Sequence, residues 1–215
     1  MVQAKRQKLT PTARGRAPKK KERTRDALIR TSIRLIAEKG IEATTVLEIT
    51  ETLKISNGVF YYYFSNKEQL LEEVGHAIVV SLVDRIYSVD RPDAAARIAR
   101  GPLIVLRYVD QHPELRAIML RVIEDPEVLH ADLHDKLRDD VATGKRIGRF
   151  PIEDVHVAVR FCRAIIASAL RLKHEGYSGE QLGAVTAIRT LTMLGVPAWE
   201  AVTIVEREQA LIAED

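Results

Sequence analysis

The sequence predicts an all-α fold: a small N-terminal three-helix unit of the helix-turn-helix kind followed by a larger C-terminal helical domain. Three observations lead there. Apolar residues recur at i, i+3, i+4 and i+7 from about residue 24 onward, and no run alternates in the β manner. The patterns Thr45-x-x-Glu48 and Ser65-x-x-Glu68 are capping boxes, each opening a helix. Gly40, Pro92, Pro113, Pro126, Gly179 and Pro197 fall between periodic runs, where helices end or begin. The 215 residues, 46% hydrophobic and 29% charged, are enough for a small domain attached to a larger one.

Residues 1–23 hold almost no large apolar side chain and read as a flexible basic arm. Ten Lys or Arg against the single Glu22 give residues 1–25 a charge of +9; the chain total is +3, so residues 26–215 carry −6. Such an arm suits a polyanionic partner. The first helix starts at Thr24 with Leu28, Ser32, Leu35 and Ile36 on its inner face, and Gly40 is placed to end it in the left-handed conformation. The second helix opens at Thr45 and buries Leu47, Ile49 and Leu53; the third is capped by Ser56 and runs to Phe64; the Ser65 box opens a fourth. The three helices of residues 24–70 form one domain and residues 71–215 the other.

In the larger domain the helix after Ser65 runs toward Asp90, and Asp93 caps the next, which Gly101-Pro102 is expected to kink or divide. Pro113 and Pro126 occupy first helical positions. Val155, Val159, Cys162, Ile166, Ala169 and Leu170 form an apolar stripe over about 154–174, and Leu182, Val185, Ile188 and Leu194 one over 180–194; a last short helix follows Pro197.

Several classes are set aside. No apolar run approaches the roughly eighteen uncharged residues of a spanning helix. The basic N-terminus has no apolar core of a secretory signal, so no membrane partner and a cytoplasmic location are expected. The lone Cys162 allows no intrachain disulfide. There is no Gly-x-Ser-x-Gly, phosphate loop or Gly-x-Gly-x-x-Gly, so no enzyme and no cofactor are expected. His130-x-x-x-His134 has helical metal spacing but reads as surface histidines, and no metal is assigned.

The third helix carries the chemistry. At about 100° per residue, Phe60 and Phe64 fall together on its core side, Gly58 and Tyr62 lie opposite, and Tyr61 and Tyr63 take the flanks. Flanking hydroxyls suit the phosphates on either wall of a major groove. Gly58 lets the backbone approach a base, and Val59 suits a thymine methyl. Lys67, beside the free N–H groups at the next helix start, suits a phosphate.

The stretch Thr44-Thr45-Val46-x-x-Ile49, followed by Ser56-Asn57-Gly58-Val59-Phe60-Tyr61-Tyr62-Tyr63-Phe64-Ser65-Asn66-Lys67-Glu68-Gln69-Leu70, resembles the DNA-binding signature of the TetR family of bacterial repressors. The resemblance covers residues 24–72 and rests on the Tyr-x-Tyr-Phe-x-x-Lys core. It departs at Lys54, where a glycine is usual in the turn, at Leu53, where alanine is common, and at Ile36 and Ile41, where aromatics are frequent.

The resemblance implies a helix-turn-helix DNA-binding domain and a C-terminal ligand-binding and dimerisation domain. DNA contacts would come from Thr45, Ser56, Asn57, Gly58, Tyr61, Tyr62, Tyr63 and Lys67. The implied partners are a double-stranded DNA operator, a second copy of the chain and a small-molecule effector. The homodimer would form through the helices at 154–174 and 180–194, where Ala164, Ala167, Ser168 and Ala169 permit close approach. The effector would lie among Tyr87, Leu106, Tyr108, Met119, Ile123, Phe161 and Ile165. An activator or architectural binder without an effector is the alternative.

Overall fold

A computed structural model describes residues 20–89, 91–124 and 131–214. Among these, ten α-helices follow one another without a strand: α1 (Lys20–Lys39), α2 (Val46–Thr52), α3 (Asn57–Tyr63), α4 (Lys67–Tyr87), α5 (Ala94–Gln111), α6 (Arg116–Glu124), α7 (Ala131–Arg146), α8 (Val155–His174), α9 (Leu182–Met193) and α10 (Ala198–Glu214). A 3-10 turn over Pro113–Leu115 leads into α6. The expected arm lies mostly outside the described residues, as does the helix start at Asp125-Pro126.

Helices α1 to α3 form the head. Leu28, Ile36, Ile49, Phe60 and Phe64 close its core, and Leu70 of α4 joins them. In the body α5 is central, packing against α4, α7, α8, α9 and α10. The largest fully buried side chain is Arg100 of α5. Its Nη1 lies 3.2 Å from the buried Glu208 carboxylate of α10, and its Nε donates to the Ile86 carbonyl at the end of α4. Three helices are thus tied through a buried charged contact, where a lost partner costs far more than at the surface.

The structure corrects five local readings. Helix α1 is already formed ahead of Thr24, where the described residues begin at Lys20, because Lys20 to Arg23 are good helix formers. Leu47 is 55% exposed, since Val46, Ile49 and Leu53 share the inner face and Leu47 points away from it. The cap of α4 is Asn66, one residue past Ser65. Its side chain accepts from Gln69 N, and Gln69 Oε1 accepts from Ser65 N, a capping pair in which Gln69 takes the part expected of Glu68. Helix α5 is not divided: Pro102 sits buried within it, where contacts with the surrounding helices outweigh the lost hydrogen bond. The last helix is long, 17 residues, because Ala201, Ile204, Val205, Glu208 and Ile212 keep one face in the core.

Candidate nucleic-acid interface and interior cavity

Helix α2 opens at Thr45, whose hydroxyl accepts from Glu48 N; the Glu48 carboxylate itself turns to Lys39. The helix closes in a Schellman motif, with Lys54 N donating to Glu51 O and Ile55 N to Thr50 O. The residue this motif places in the left-handed region is Lys54, with φ 55°. The turn therefore keeps its geometry without glycine, at the cost of holding a side chain where L-residues are strained.

The turn delivers α3 to the surface. Ser56 occupies the N-cap position with extended backbone but makes no side-chain cap bond, so its hydroxyl is left for another acceptor. Thr50 Oγ1 lies 2.6 Å from Asn57 Oδ1, tying the first residue of α3 to α2. Phe60 and Phe64 are 0% and 1% exposed, whereas Tyr61 and Tyr62 are 59% and 66% exposed. Tyr63 is half-buried, its ring edge-on to Tyr62 at 5.0 Å. Nothing but Ser56 Oγ comes within 4 Å of a Cβ built on Gly58, so that face of α3 is open. Lys21 of α1 sits over the Tyr62 ring at 4.9 Å, which carries the basic start of α1 to the edge of the same face.

Lys67, half-buried, donates from Nζ to the Ile41 carbonyl at 2.6 Å. That bond fixes the ammonium between the loop after α1 and the start of α4, and it leaves further N–H donors for an anion. Thr45, Ser56, Asn57, Gly58, Tyr61 and Tyr62 are exposed and lie on or beside α3, with Val59, Tyr63 and Lys67 half-buried among them.

A second feature lies inside the body. A cavity of about 70 Å³ opens between α4, α5, α7 and α8, with an aliphatic wall that includes Val79, Leu82, Ile86, Val105 and Ile166. Tyr87 and Ile123 from the expected effector set line it. The other five do not. Leu106 and Met119 are buried elsewhere in the core, and Tyr108 packs on His112 at 4.7 Å. Phe161 and Ile165 face outward on α8, because the 100° step puts Cys162 and Ile166 on the inner side and their predecessors outside. Ile166, part of the stripe expected at the dimer contact, lines the cavity instead.

One pole of the cavity is polar. Asp140 accepts from Arg97 Nε at 2.7 Å and from the Tyr87 hydroxyl at 2.9 Å. Burial, reinforced by Asp140, pushes the Tyr87 phenol above its ordinary range, so it stays protonated and donating. Burial likewise pushes the Cys162 thiol up to about 12, which leaves it an inert part of the wall. Arg97, His134 and Arg163 also line the cavity and were missed from sequence. The available signal was an arginine, Arg163, inside an otherwise apolar stripe. Among the described residues no group of His, Cys, Asp and Glu is arranged to hold a metal, and His130 lies outside them. No described helix is long and apolar enough to cross a membrane.

Outside, α8 and α9 form an open apolar groove between Phe161, Ile165 and Leu172 on one side and Leu182, Val185 and Met193 on the other. Phe161 is 54% exposed. Ala164 and Ser168 lie along its floor, as the small-residue pattern requires for close approach of another helix.

The family model for bacterial regulatory proteins, tetR family, matches residues 28–74, and that for a tetracyclin repressor-like C-terminal domain matches residues 93–207. The HTH-type transcriptional regulator YerO of Bacillus subtilis is 54% identical over 52 residues, 24% of this chain and 17% of that protein. The chain spans a third or less of this and the next two curated relatives. The HTH-type transcriptional regulator TcmR of Streptomyces glaucescens is 25% identical over 172 residues, 65% of this chain and 76% of that protein. Among solved structures, RolR in complex with resorcinol superposes with a TM-score of 0.70 at 29% identity, covering 87% of this chain and 95% of that one.

Proposed function

Because this chain belongs to the TetR family of bacterial regulatory proteins, which are DNA-binding transcription regulators and not enzymes, we propose that it is a dimeric repressor released from a palindromic operator by a small molecule held in the body cavity. The observation that carries the DNA half is the division of aromatics on α3: two phenylalanines closing the head and two tyrosines more than half exposed beside them. Tyr62, with Gly58, faces the base edges; Tyr61, Tyr63 and Lys67 meet phosphates; Thr45, Ser56 and Asn57 add polar contacts at the start of the helices. Two copies are needed so that two α3 helices reach one face of DNA about 34–36 Å apart. The groove of α8 and α9 is where they pair.

The effector half rests on position. Helix α6 places Ile123 in the cavity wall and packs Ile118 and Val122 against Gly75 of α4, where an added Cβ would fall 2.4 Å from Val122 Cγ2. Helix α4 starts directly after α3. A ligand that moves α6 therefore pushes the element that carries the reading helix, and such contacts pass a shift on rather than absorb it. RolR, a regulator of the same fold, binds resorcinol, which supports a small-molecule effector here. The arm supplies charge the head lacks: residues 26–70 hold five Lys or Arg and six acids. Long-range attraction to DNA then comes from residues 1–25, through counterion release.

The test is a gel shift with the DNA upstream of the protein's own gene. Wild type gives a discrete complex that survives competitor DNA and is lost with Tyr62→Ala; an architectural binder gives no discrete complex. Light scattering expects a dimer for wild type and a monomer when Phe161 and Val185 are both changed to Glu. A monomeric wild type would remove the paired reading.

A further inference from the structure

The cavity has one polar end that is closed on itself and one cation that is not. At the closed end both Asp140 oxygens accept, one from Arg97 and one from Tyr87, and the Arg97 and Asp140 charges offset each other. Arg163 of α8 lines the same cavity. One of its terminal nitrogens donates to the Ile123 carbonyl at 3.2 Å, but its Nε is buried without a hydrogen-bond partner, and Arg163 forms no ion pair among the described residues. Its neighbour one turn back, Arg160, is another cation. An unmade hydrogen bond on a buried donor costs more than a made one gains, and a guanidinium on an apolar wall favours a counter-ion.

Resting on the reading of this cavity as the effector site, the geometry points to a small apolar carboxylate as the effector class, its hydrocarbon body against the aliphatic wall and its carboxylate accepting from Arg163. A neutral phenol or alcohol fits less well. It can accept from Arg163 but brings no charge, and its own proton must compete with Arg97 and Tyr87 for Asp140. The body must be small, since the void of about 70 Å³ is below the roughly 150 Å³ of an apolar cavity that takes up benzene.

The test titrates the full chain with isovalerate and isobutyrate, with the isosteric amides isovaleramide and isobutyramide, and with resorcinol, by calorimetry and thermal unfolding. Each acid is expected to raise Tm and to bind at least about tenfold more tightly than its amide, the worth of one hydrogen bond to a charged group. Arg163→Gln should abolish that preference, and Arg163→Lys, which keeps the charge but not the planar fork, should retain part of it. Equal binding of acid and amide, a preference that persists in Arg163→Gln, no Tm shift from either acid, or binding of resorcinol alone would each overturn the carboxylate class. Ile166→Trp fills the cavity and should abolish binding of acids and amides together. Acid binding that survives this substitution overturns instead the cavity as effector site.

Discussion

The head and the body are both helical, yet they are held together across different distances along the chain. In the head the decisive contacts are local: Thr45 with Glu48, Phe60 with Phe64, and Thr50 with Asn57 seven residues on. In the body they join remote segments. Arg100 meets Glu208 across 108 positions, Arg107 donates to the Ile212 carbonyl across 105, and Tyr87 reaches Asp140 across 53. A unit specified locally is legible as motif and can present a surface without reorganising. A unit specified by distant pairs has no motif, but it can hold a cavity and change shape around it.

The largest effect expected from breaking this contrast is in the body. Glu208→Ala removes the buried carboxylate that Arg100 and Arg91 face, and should destabilise the chain by about 3–5 kcal/mol in urea unfolding. Replacing both partners, Arg100→Met with Glu208→Leu, should recover most of that loss, because the pair costs desolvation that apolar packing does not. If the single and double variants are equally unstable, the contact does not hold α10 in place and the contrast with the head is weaker than drawn.

The head gives a sharper separation on one helix. Phe60→Ala empties a fully buried site and should cost about 3–5 kcal/mol, while Tyr62→Ala, two residues on and exposed, should change stability by less than about 0.5 kcal/mol. Only Tyr62→Ala should alter the preferred sequence in a binding-site selection with the fold intact. A Tyr62→Ala chain that unfolds would place Tyr62 in the core and remove the reading face.

Alkaline titration separates the two regions again. Tyr87 and Cys162 have folded pKa values raised above their ordinary ones, by burial first and for Tyr87 also by Asp140. Both groups are neutral in the fold. Their contribution is fully present below the ordinary values and is lost as pH rises past them; for Cys162 the window runs from 9.0 to about 12. The head has no buried group of this kind among its described residues. Fluorescence and amide exchange at rising pH should therefore show the body opening before the head. Simultaneous loss would mean that the two are one cooperative unit.

This division also explains what the sequence made legible. Caps, the wheel of α3 and the left-handed Gly40 depend on residues within one or two helical turns, so a linear reading reaches them; it missed by one residue at Asn66, where Ser65 offered an equally good cap signal. Most helices of the body were equally visible, although α5 was expected to kink or divide and Val185 of the α9 stripe is exposed. The cavity was not, because its lining is set by which face of α8 turns inward, and the stripe from Val155 to Leu170 is apolar on the outside as well. Phe161 and Ile165 were placed at the effector by the resemblance, not by the stripe, which left them out. Arg97, Asp140 and Arg163 come together only through packing, and nothing in their spacing shows it. Removing the α4 cap measures the local kind of contact directly: Asn66→Ala should cost about 1 kcal/mol, much less than the loss of the Glu208 carboxylate.

The smallest effect expected has the opposite sign. Lys54 sits at φ 55° because the Schellman end of α2 demands a left-handed residue there, and the two backbone bonds of the motif hold it in place. A Cβ in that region is strained by about 1–2 kcal/mol, whereas glycine is not, though glycine gives back part of the gain through its freer unfolded chain. Lys54→Gly should therefore stabilise the head by roughly 0.5 kcal/mol, Lys54→Asn by somewhat less, and Lys54→Ala not at all, because alanine keeps the Cβ. The turn sets the angle between α2 and α3, so operator affinity should hold in all three apart from the loss of one cation. If that cation touches phosphate, the slope of log K against log salt flattens by about 0.9 in each variant alike. Separating the two readouts matters: a gain in stability confined to glycine and asparagine tests the backbone, and a common change in salt slope tests the charge. A Lys54→Gly chain less stable than wild type would mean that the side chain, not the local turn, secures this corner, and that the head too depends on contacts beyond its motifs.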